Sequence, residues 1–485
     1  MLSEKNSVID IKAEVWTLVA RYAYEGDLEE KMETIPETII PGPHAQFRCC
    51  IYREREIVRQ RVNMMLDKYW KGRTNVVNTI KAACEDCPLS RYTVTDNCRK
   101  CVMKACLHAC HFGAVSIGDE RSHIDPSKCK ECGMCAKACP YNAIADLVRP
   151  CKNSCPAGAI TMDENGLCVI DQDKCINCGK CVNACPFGAI VSRSFIVDVI
   201  NEINAGKEVY AMIAPAWEGQ YGPDVTIASW KEAAKGLGFK DLYDVALGGD
   251  LTAASEAEEW EEAFKEQRSM TTSCCPAFVN MIRKHYPKLA ENISSTVSPM
   301  CALSRMIKAE HPGAVTVFIG PCIAKKGEAF NGDLEGNADY ALTLREINAM
   351  MRAKGITVSA KPNEVQEAST YGKRFGNSGG VTKAVIECMK EDGFDSKALK
   401  ICRANGADEC KKALMLMQAG KLPEQYIEGM MCDGGCVGGP GAYRGEMKSR
   451  KDRDTLIAQA DKRGVHENLE KYPTDKFSMS SGKDQ

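Results

Sequence analysis

Thr271-Thr-Ser-Cys-Cys-Pro-Ala-Phe278 sets two adjacent cysteines behind a small polar run and ahead of a proline. Successive side chains diverge, so both thiols cannot comfortably ligate one metal, and one is left for other work. Two later segments, Gly320-Pro-Cys-Ile-Ala-Lys-Lys326 and Glu428-Gly-Met-Met-Cys-Asp-Gly-Gly-Cys436, add three cysteines in turns marked by Gly or Pro. Residues 208–214 and 314–320 read as strands, the first ending in Ala214-Pro215-Ala216 and the second running straight into Pro321-Cys322. Apolar spacings of three and four at 298–309, 343–353 and 382–389 read as intervening helices. Strands alternating with helices predict parallel-sheet lobes that carry the site in their strand-end loops. The reading is an α/β domain around a buried metal site.

At 485 residues the chain exceeds what one hydrophobic core serves, and two or three domains are expected. Net charge is -2, from 63 basic and 65 acidic residues, and no basic block is long enough to track phosphates, so no nucleic-acid partner is expected. The first residues, MLSEKNSVIDIKAEVW, carry acids and no apolar run of signal length, and nowhere do about 18 apolar residues follow one another. The expectation is a cytoplasmic protein with no membrane partner. The 28 cysteines of such a chain point to metal ligation rather than disulfides.

Residues 1–80 read as a helical N-terminal region, with helical spacing over 9–24 and 57–70 and a breaker-rich connection over 35–43. Cys49, Cys50 and His44 lack a further C-x2-C partner and read as structural. Residues 81–192 change character. Cys129, Cys132, Cys135 and Cys139 form C-x2-C-x2-C-x3-C-P, and Cys175, Cys178, Cys181 and Cys185 repeat it, the spacing of bacterial ferredoxins. Similar tails follow four cysteines: Cys110-His-Phe-Gly-Ala-Val115, Cys139-Pro-Tyr-Asn-Ala-Ile144, Cys155-Pro-Ala-Gly-Ala-Ile160 and Cys185-Pro-Phe-Gly-Ala-Ile190. They imply two pseudo-symmetric α+β modules that resemble ferredoxin.

In a two-cluster module the fourth cysteine of each run serves the other cluster. That rule pairs Cys129, Cys132 and Cys135 with Cys110, then Cys98, Cys101 and Cys106 with Cys139, and Cys175, Cys178 and Cys181 with Cys155. Cys151 and Cys185 then need two partners, and Cys84-Glu-Asp-Cys87 is the spare C-x2-C upstream. The pattern is departed from at C-x4-C between Cys101 and Cys106, and at His111, which replaces proline after Cys110. A zinc clip or a pair of idle thiols is the other reading of Cys84 and Cys87. His108 and His111 read as exposed turn residues, and Cys168 as a strand residue of a hairpin.

Taken in order, downstream of ferredoxin-like repeats, TSCCPAF, PCIAKKGE and EGMMCDGGCVGG resemble the three signature segments of iron-only (FeFe) hydrogenases, over roughly residues 81–445. The resemblance implies an H-cluster, a 4Fe-4S cubane joined through one cysteine to a diiron centre with CO, cyanide and a bridging dithiolate. It implies Cys275, Cys322, Cys432 and Cys436 as cubane ligands, Cys436 also bridging to the diiron unit, and Cys274 as the thiol that passes protons. It sets Lys325 against a cyanide, Glu328 as a supporting carboxylate, and Ala214, Pro215, Met300 and Met430 near the diiron unit. Ser294, Glu256 and Glu259 match the proton route, the glutamates only after a short gap. A solvated acidic helix face is the other reading of those two glutamates. Gly320 stands where Met is usual, Phe278 where Trp is, and Met300-Cys301 where Gln-Gln is common, so a divergent pocket polarity is expected. Cys301, Cys388, Cys402 and Cys410 read as packing thiols.

Residues 193–445 are then the catalytic domain, and 446–485 a C-terminal helix with a mobile polar tail. The implied activity is reversible interconversion of H2 with protons and electrons, electrons entering through accessory 4Fe-4S clusters, at least two and four by the pairing. Soluble ferredoxin or flavodoxin is the implied redox partner, and maturation proteins the implied builders of the diiron unit. One alternative is a family member without turnover, in hydrogen sensing or iron-sulfur assembly. Another is a pure electron carrier, which would leave the C-terminal half superfluous.

Overall fold

The N-terminal apolar spacing becomes a helix at Val8–Glu25, which buries Ile11, Val15 and Val19, and a second at Ile51–Asn63, which buries Ile57, Val58 and Val62. The structure, a computed structural model, describes residues 8–48, 50–84, 87, 90–330, 332, 334–362, 366–460 and 462–482. Cys49 and the end of the tail lie outside the described residues. The second helix begins before and ends before the expected 57–70, and a 3-10 turn, Asp67–Tyr69, follows it. The expected break over 35–43 is partly helical. Ile35–Ile39 forms because Pro36 sits in the first turn, where no amide donor is required.

Each ferredoxin-like module rests on two antiparallel strand pairs. In one, Tyr92–Val94 pairs with Ile144–Asp146 and Val115–Ile117 with Ser122–Ile124. In the other, Val77–Thr79 pairs with Ile190–Ser192 and Ile160–Met162 with Cys168–Ile170. Val77–Thr79 falls before residue 81, yet it is a strand of the second module. The first module is therefore spliced into the second. The chain passes Cys84 and Cys87, leaves through the first module, and returns at Cys151.

Beyond residue 196 strands and helices alternate as expected. Val209–Ile213 lies between Asp241–Asp244 and Val315–Gly320, and the latter pairs with Tyr340–Thr343, all in parallel. A second parallel sheet holds Tyr426–Met430 between Met270–Thr271 and Ile401–Asn405. Every residue of Val209–Ile213 is buried, as a strand covered on both faces requires. The helix Val245–Lys265 buries Leu247, Leu251 and Trp260 in the core.

The C-terminal segment is not peripheral. Glu446–Ala458 buries Arg453 beside Glu218. Ser480 pairs with Thr296, and Arg305 donates to the carbonyls of Ser478 and Ser480. The tail expected to be mobile is tied to the parallel-sheet region at least to Ser480. No helix among the described residues is long and apolar enough to cross a membrane.

Candidate metal centre

Strands from both sheets end at one cavity of about 80 Å³. Val209–Ile213 delivers Ala214 and Pro215, Val315–Gly320 delivers Cys322, Met270–Thr271 delivers Cys274 and Cys275, and Tyr426–Met430 delivers Met430 and, beyond it, Cys436. Carboxyl ends of parallel strands are where α/β sheets bind ligands, because diverging connections open a crevice there. Met300 and Lys325 complete the expected residues that line it. Glu328 is not on the wall. It stands behind Lys325, at 2.6 Å.

The fourth expected cubane cysteine, Cys432, is not on the wall, but it lies near enough to Cys275, Cys322, Cys436 and Cys178 to feel their charges. Burial, joined by those thiols, pushes Cys432 well above the ordinary thiol range. Burial likewise raises Cys322 to about 12 and Cys436 to about 11. Such thiols keep their protons until a metal takes up the charge. No group of three or more His, Cys, Asp or Glu among the described residues closes around a single ion.

Lys325 is pinned from below. Its Nζ donates to Ser298 Oγ and Glu328 Oε2, both at 2.6 Å, and Ser298 Oγ donates to Glu328 Oε1 at 2.6 Å. Burial is the largest single influence and works to lower its pKa, but the Glu328 charge and hydrogen bond, with the charges of Cys322 and Cys274, together hold the ammonium above its usual value. Lys326 turns away into a fully buried ion pair with Glu346 at 2.7 Å. Adjacent lysines thus have separate surroundings.

The helix Val245–Lys265 turns Glu256 wholly inward and leaves Glu259 half-buried. Ser273, next to Cys274, donates through its amide and hydroxyl to Glu256 Oε1, both at 3.4 Å. Burial, aided by Glu259, raises Glu256 to about 8, so it holds a proton at neutral pH. Glu256 Oε2 has no partner among the described residues. Ser294 Oγ donates to Glu259 Oε2 at 2.6 Å, and Thr296 Oγ1 to the same oxygen at 3.3 Å. Burial, then the Glu256 charge, lifts the Cys274 thiol well above its usual range. Glu256 thus lies between Ser273, which precedes Cys274, and Ser294, which hydrogen-bonds Glu259, and a solvated face does not describe it.

The unusual positions separate. Gly320 has no space for a side chain: a Cβ there would lie 2.8 Å from Ala214 Cβ and from the Phe318 ring. Phe318 lines the cavity instead. Phe278 is not on the wall; its ring lies 2.4 Å from where a Cβ on Gly429 would sit. Cys301 is buried in its helix, away from the lining. Phe318, Phe375, Gly376 and Ser298 were not singled out from sequence. Ser298 carried a signal, a serine N-cap before Pro299, and it accepts from the Cys301 amide. Phe375 and Gly376 come from a loop without a motif.

The accessory cysteines lie near one another in several groups. Cys135 meets Cys129 and Cys110, while Cys132 is exposed. Cys98, Cys101, Cys106 and Cys139 line one cavity of about 20 Å³. Cys175, Cys178 and Cys181 each meet Cys155. Cys84 and Cys87 both meet Cys151 and Cys185, because the splice returns the chain to them. The repeated tails acquire a common purpose: the amides of Ala114, Ala143, Ala159 and Ala189 donate to Cys110, Cys139, Cys155 and Cys185 at 3.3 to 3.4 Å. Gly179, at φ 74°, would place a Cβ 2.5 Å from Ile323 Cδ1, so the turn after Cys178 lies against the loop after Cys322.

Residues 207–440 match the family profile described as iron only hydrogenase large subunit, C-terminal domain. Residues 122–145 match a 4Fe-4S binding domain, and 145–196 an LdpA Fe-S cluster-binding domain. The chain is 31% identical over 304 residues to the periplasmic [Fe] hydrogenase large subunit of Nitratidesulfovibrio vulgaris, covering 52% of this chain and 72% of that protein. It is 28% identical to iron hydrogenase 1 of Clostridium pasteurianum over 424 residues, 72% of each chain. At 23% identity it also resembles a probable cytosolic Fe-S cluster assembly factor of Brugia malayi, over 48% of this chain and 63% of that one. With its cysteines gathered as an iron-sulfur protein requires, the chain belongs to the iron-only hydrogenase family.

Proposed function

We propose that this protein catalyses the reversible interconversion of H2 with protons and electrons at an H-cluster seated in the strand-end cavity. The observation that carries this reading is the convergence there of Cys274, Lys325 and cysteines from three distant segments. The residues fit the group. Cys275, Cys322, Cys432 and Cys436 would hold the cubane, Cys436 at the wall would reach the diiron unit, and the charged Lys325 suits an anionic ligand. When bound, the H-cluster supplies the iron centre at which H2 is formed or split. Met300, Met430 and Phe318 exclude water from that side of the cavity. Cys274 Sγ holds and releases a proton there, Glu256 exchanges it, and Ser294 and Glu259 carry it toward the surface.

The four accessory sets would hold 4Fe-4S clusters, and the set with Cys178 lies where electrons pass to the side of Cys432. In this reading residues 1–80 are a helical region, 81–192 with Val77–Thr79 the electron relay, 193–445 the catalytic domain, and 446–485 its C-terminal helix and tail. A soluble ferredoxin or flavodoxin in the cytoplasm would exchange electrons, and maturation proteins would assemble the diiron unit. Hydrogen evolution from reduced methyl viologen tests this, with CO and cyanide infrared bands reporting the assembled cluster. Bands without hydrogen would overturn turnover. They would favour iron-sulfur assembly, the second reading, which the likeness to the B. malayi factor supports but which leaves the placement of Glu256 between Ser273 and Ser294 unexplained.

A further inference from the structure

The N-terminal helices lie outside every matched family profile, yet they bring three cations to one thiol set. Arg61, on Ile51–Asn63, is 4% exposed; its Nη2 donates to the Gly188 carbonyl at 3.1 Å, while its Nε and Nη1 have no partner among the described residues. Lys12, on Val8–Glu25, lines a cavity with Arg61 and brings its Cε within 3.4 Å of a Cβ built on Gly188. Gly188 closes the turn after Cys185, whose sulfur accepts from the Ala189 amide. Arg48 approaches from the other side: it lies 4.8 Å over the Phe187 ring, and its Nη2 donates to the Ala83 carbonyl, one residue before Cys84, at 3.1 Å. Glu54 holds the Arg48 segment by accepting from the amides of Gln46, Phe47 and Arg48.

No Asp or Glu lines the cavity shared by Lys12 and Arg61, where Arg345 adds a further cation. Burial, then Arg61, pulls Lys12 down to about 7, and burial pulls Arg61 down to about 10; the one opposing charge at both is Cys185. Buried cations without a counter-charge are strongly disfavoured. For Lys12 and Arg61 the anion within reach among the described residues is the cysteine set of Cys185 and what it ligates.

We propose that Arg61, Lys12 and Arg48 are positioning residues for the iron-sulfur cluster held by Cys84, Cys87, Cys151 and Cys185, stabilising its reduced form. This rests on the reading of that set as cluster ligands. Reduction adds one electron, and so one negative charge, to a group already anionic through four thiolates. Cations in a low-dielectric wall favour that state. The N-terminal region thus raises the potential of one member of the relay.

The test is an EPR-monitored redox titration of the iron-loaded full-length protein, with dithionite as the electron source. Cys87→Ser identifies which signal belongs to this set. Arg61→Gln and Lys12→Gln should each lower the reduced-to-oxidised ratio of that signal at fixed potential about tenfold, equivalent to 59 mV for one electron, while Arg61→Lys retains most of it. Lys12, the less buried of the two, keeps the test decisive should Arg61→Gln fail to fold. An unchanged signal in a folded variant with full iron content overturns the role. Loss of no signal in Cys87→Ser overturns instead the ligand set on which it rests.

Discussion

The accessory sets and the catalytic cavity hold the same kind of side chain by opposite means. In the modules, three of the four sets take three cysteines from one short stretch of chain, amides four residues on donate to the sulfurs of Cys110, Cys139, Cys155 and Cys185, and Cys132 reaches the surface. At the cavity, the cysteines come from loops of two different sheets, and the walls are Met300, Met430, Phe318 and Phe375 with Lys325 as the charged group. An electron relay tolerates water at its edges, since its potential is tuned by amides, charge and exposure. The proton-handling site proposed at Cys274 would not, because water would compete for that proton. Under the proposed function the difference would also divide the traffic, electrons on the side of Cys178 and Cys432 and protons on the side of Cys274 and Glu256.

The largest test of that division is Cys274→Ala, which should reduce hydrogen evolution on the order of 10³-fold with iron content unchanged; an undiminished rate would remove the special standing of the cavity. Next is Glu256→Gln, expected to cost on the order of 10²-fold. Because Glu256 holds its proton up to about pH 8, the wild-type evolution rate should fall as pH rises through that value, and the variant should lose this limb. Glu259→Gln should cost less, since water reaches a half-buried position.

The wall itself is probed by Gly320→Met, which forces a side chain against Ala214 and Phe318 and should destabilise the holoprotein by about 1 to 3 kcal/mol in chemical unfolding. Adding Phe318→Ala should recover most of that loss; no recovery would mean that Phe318 does not take up the space beside Gly320. The smallest effect on turnover is expected in the relay. Cys87→Ser should remove about four irons yet leave dye-driven evolution within a few-fold, as methyl viologen supplies electrons without a specific docking surface. Loss of dye-driven activity as complete as in Cys274→Ala would erase the contrast between the two regions.

Much of this was legible in the residues, for reasons that differ by region. The two complete C-x2-C-x2-C-x3-C-P runs and their tails declared themselves because ligand spacing within a turn is set by side-chain reach. The strands at 208–214 and 314–320 were legible because each runs into a proline-marked loop. Glu256 and Glu259 were matched only by resemblance and across a gap, and which of them turns inward was not legible, since their helix carries acids on several faces and only packing separates them. The ordering of the C-terminal tail was likewise hidden, because the carbonyls that bind Arg305 have no sequence signature.

Chemistry encoded over a few neighbouring residues, the thiol runs and the Cys274–Cys275 doublet, could be read from the chain alone because backbone geometry there is local. The splice of one ferredoxin-like module between two strands of the other, the close approach of Gly320 to Ala214, and the approach of Arg61 to Gly188 required the folded chain. Each brings together segments far apart in sequence, for which no local pattern exists.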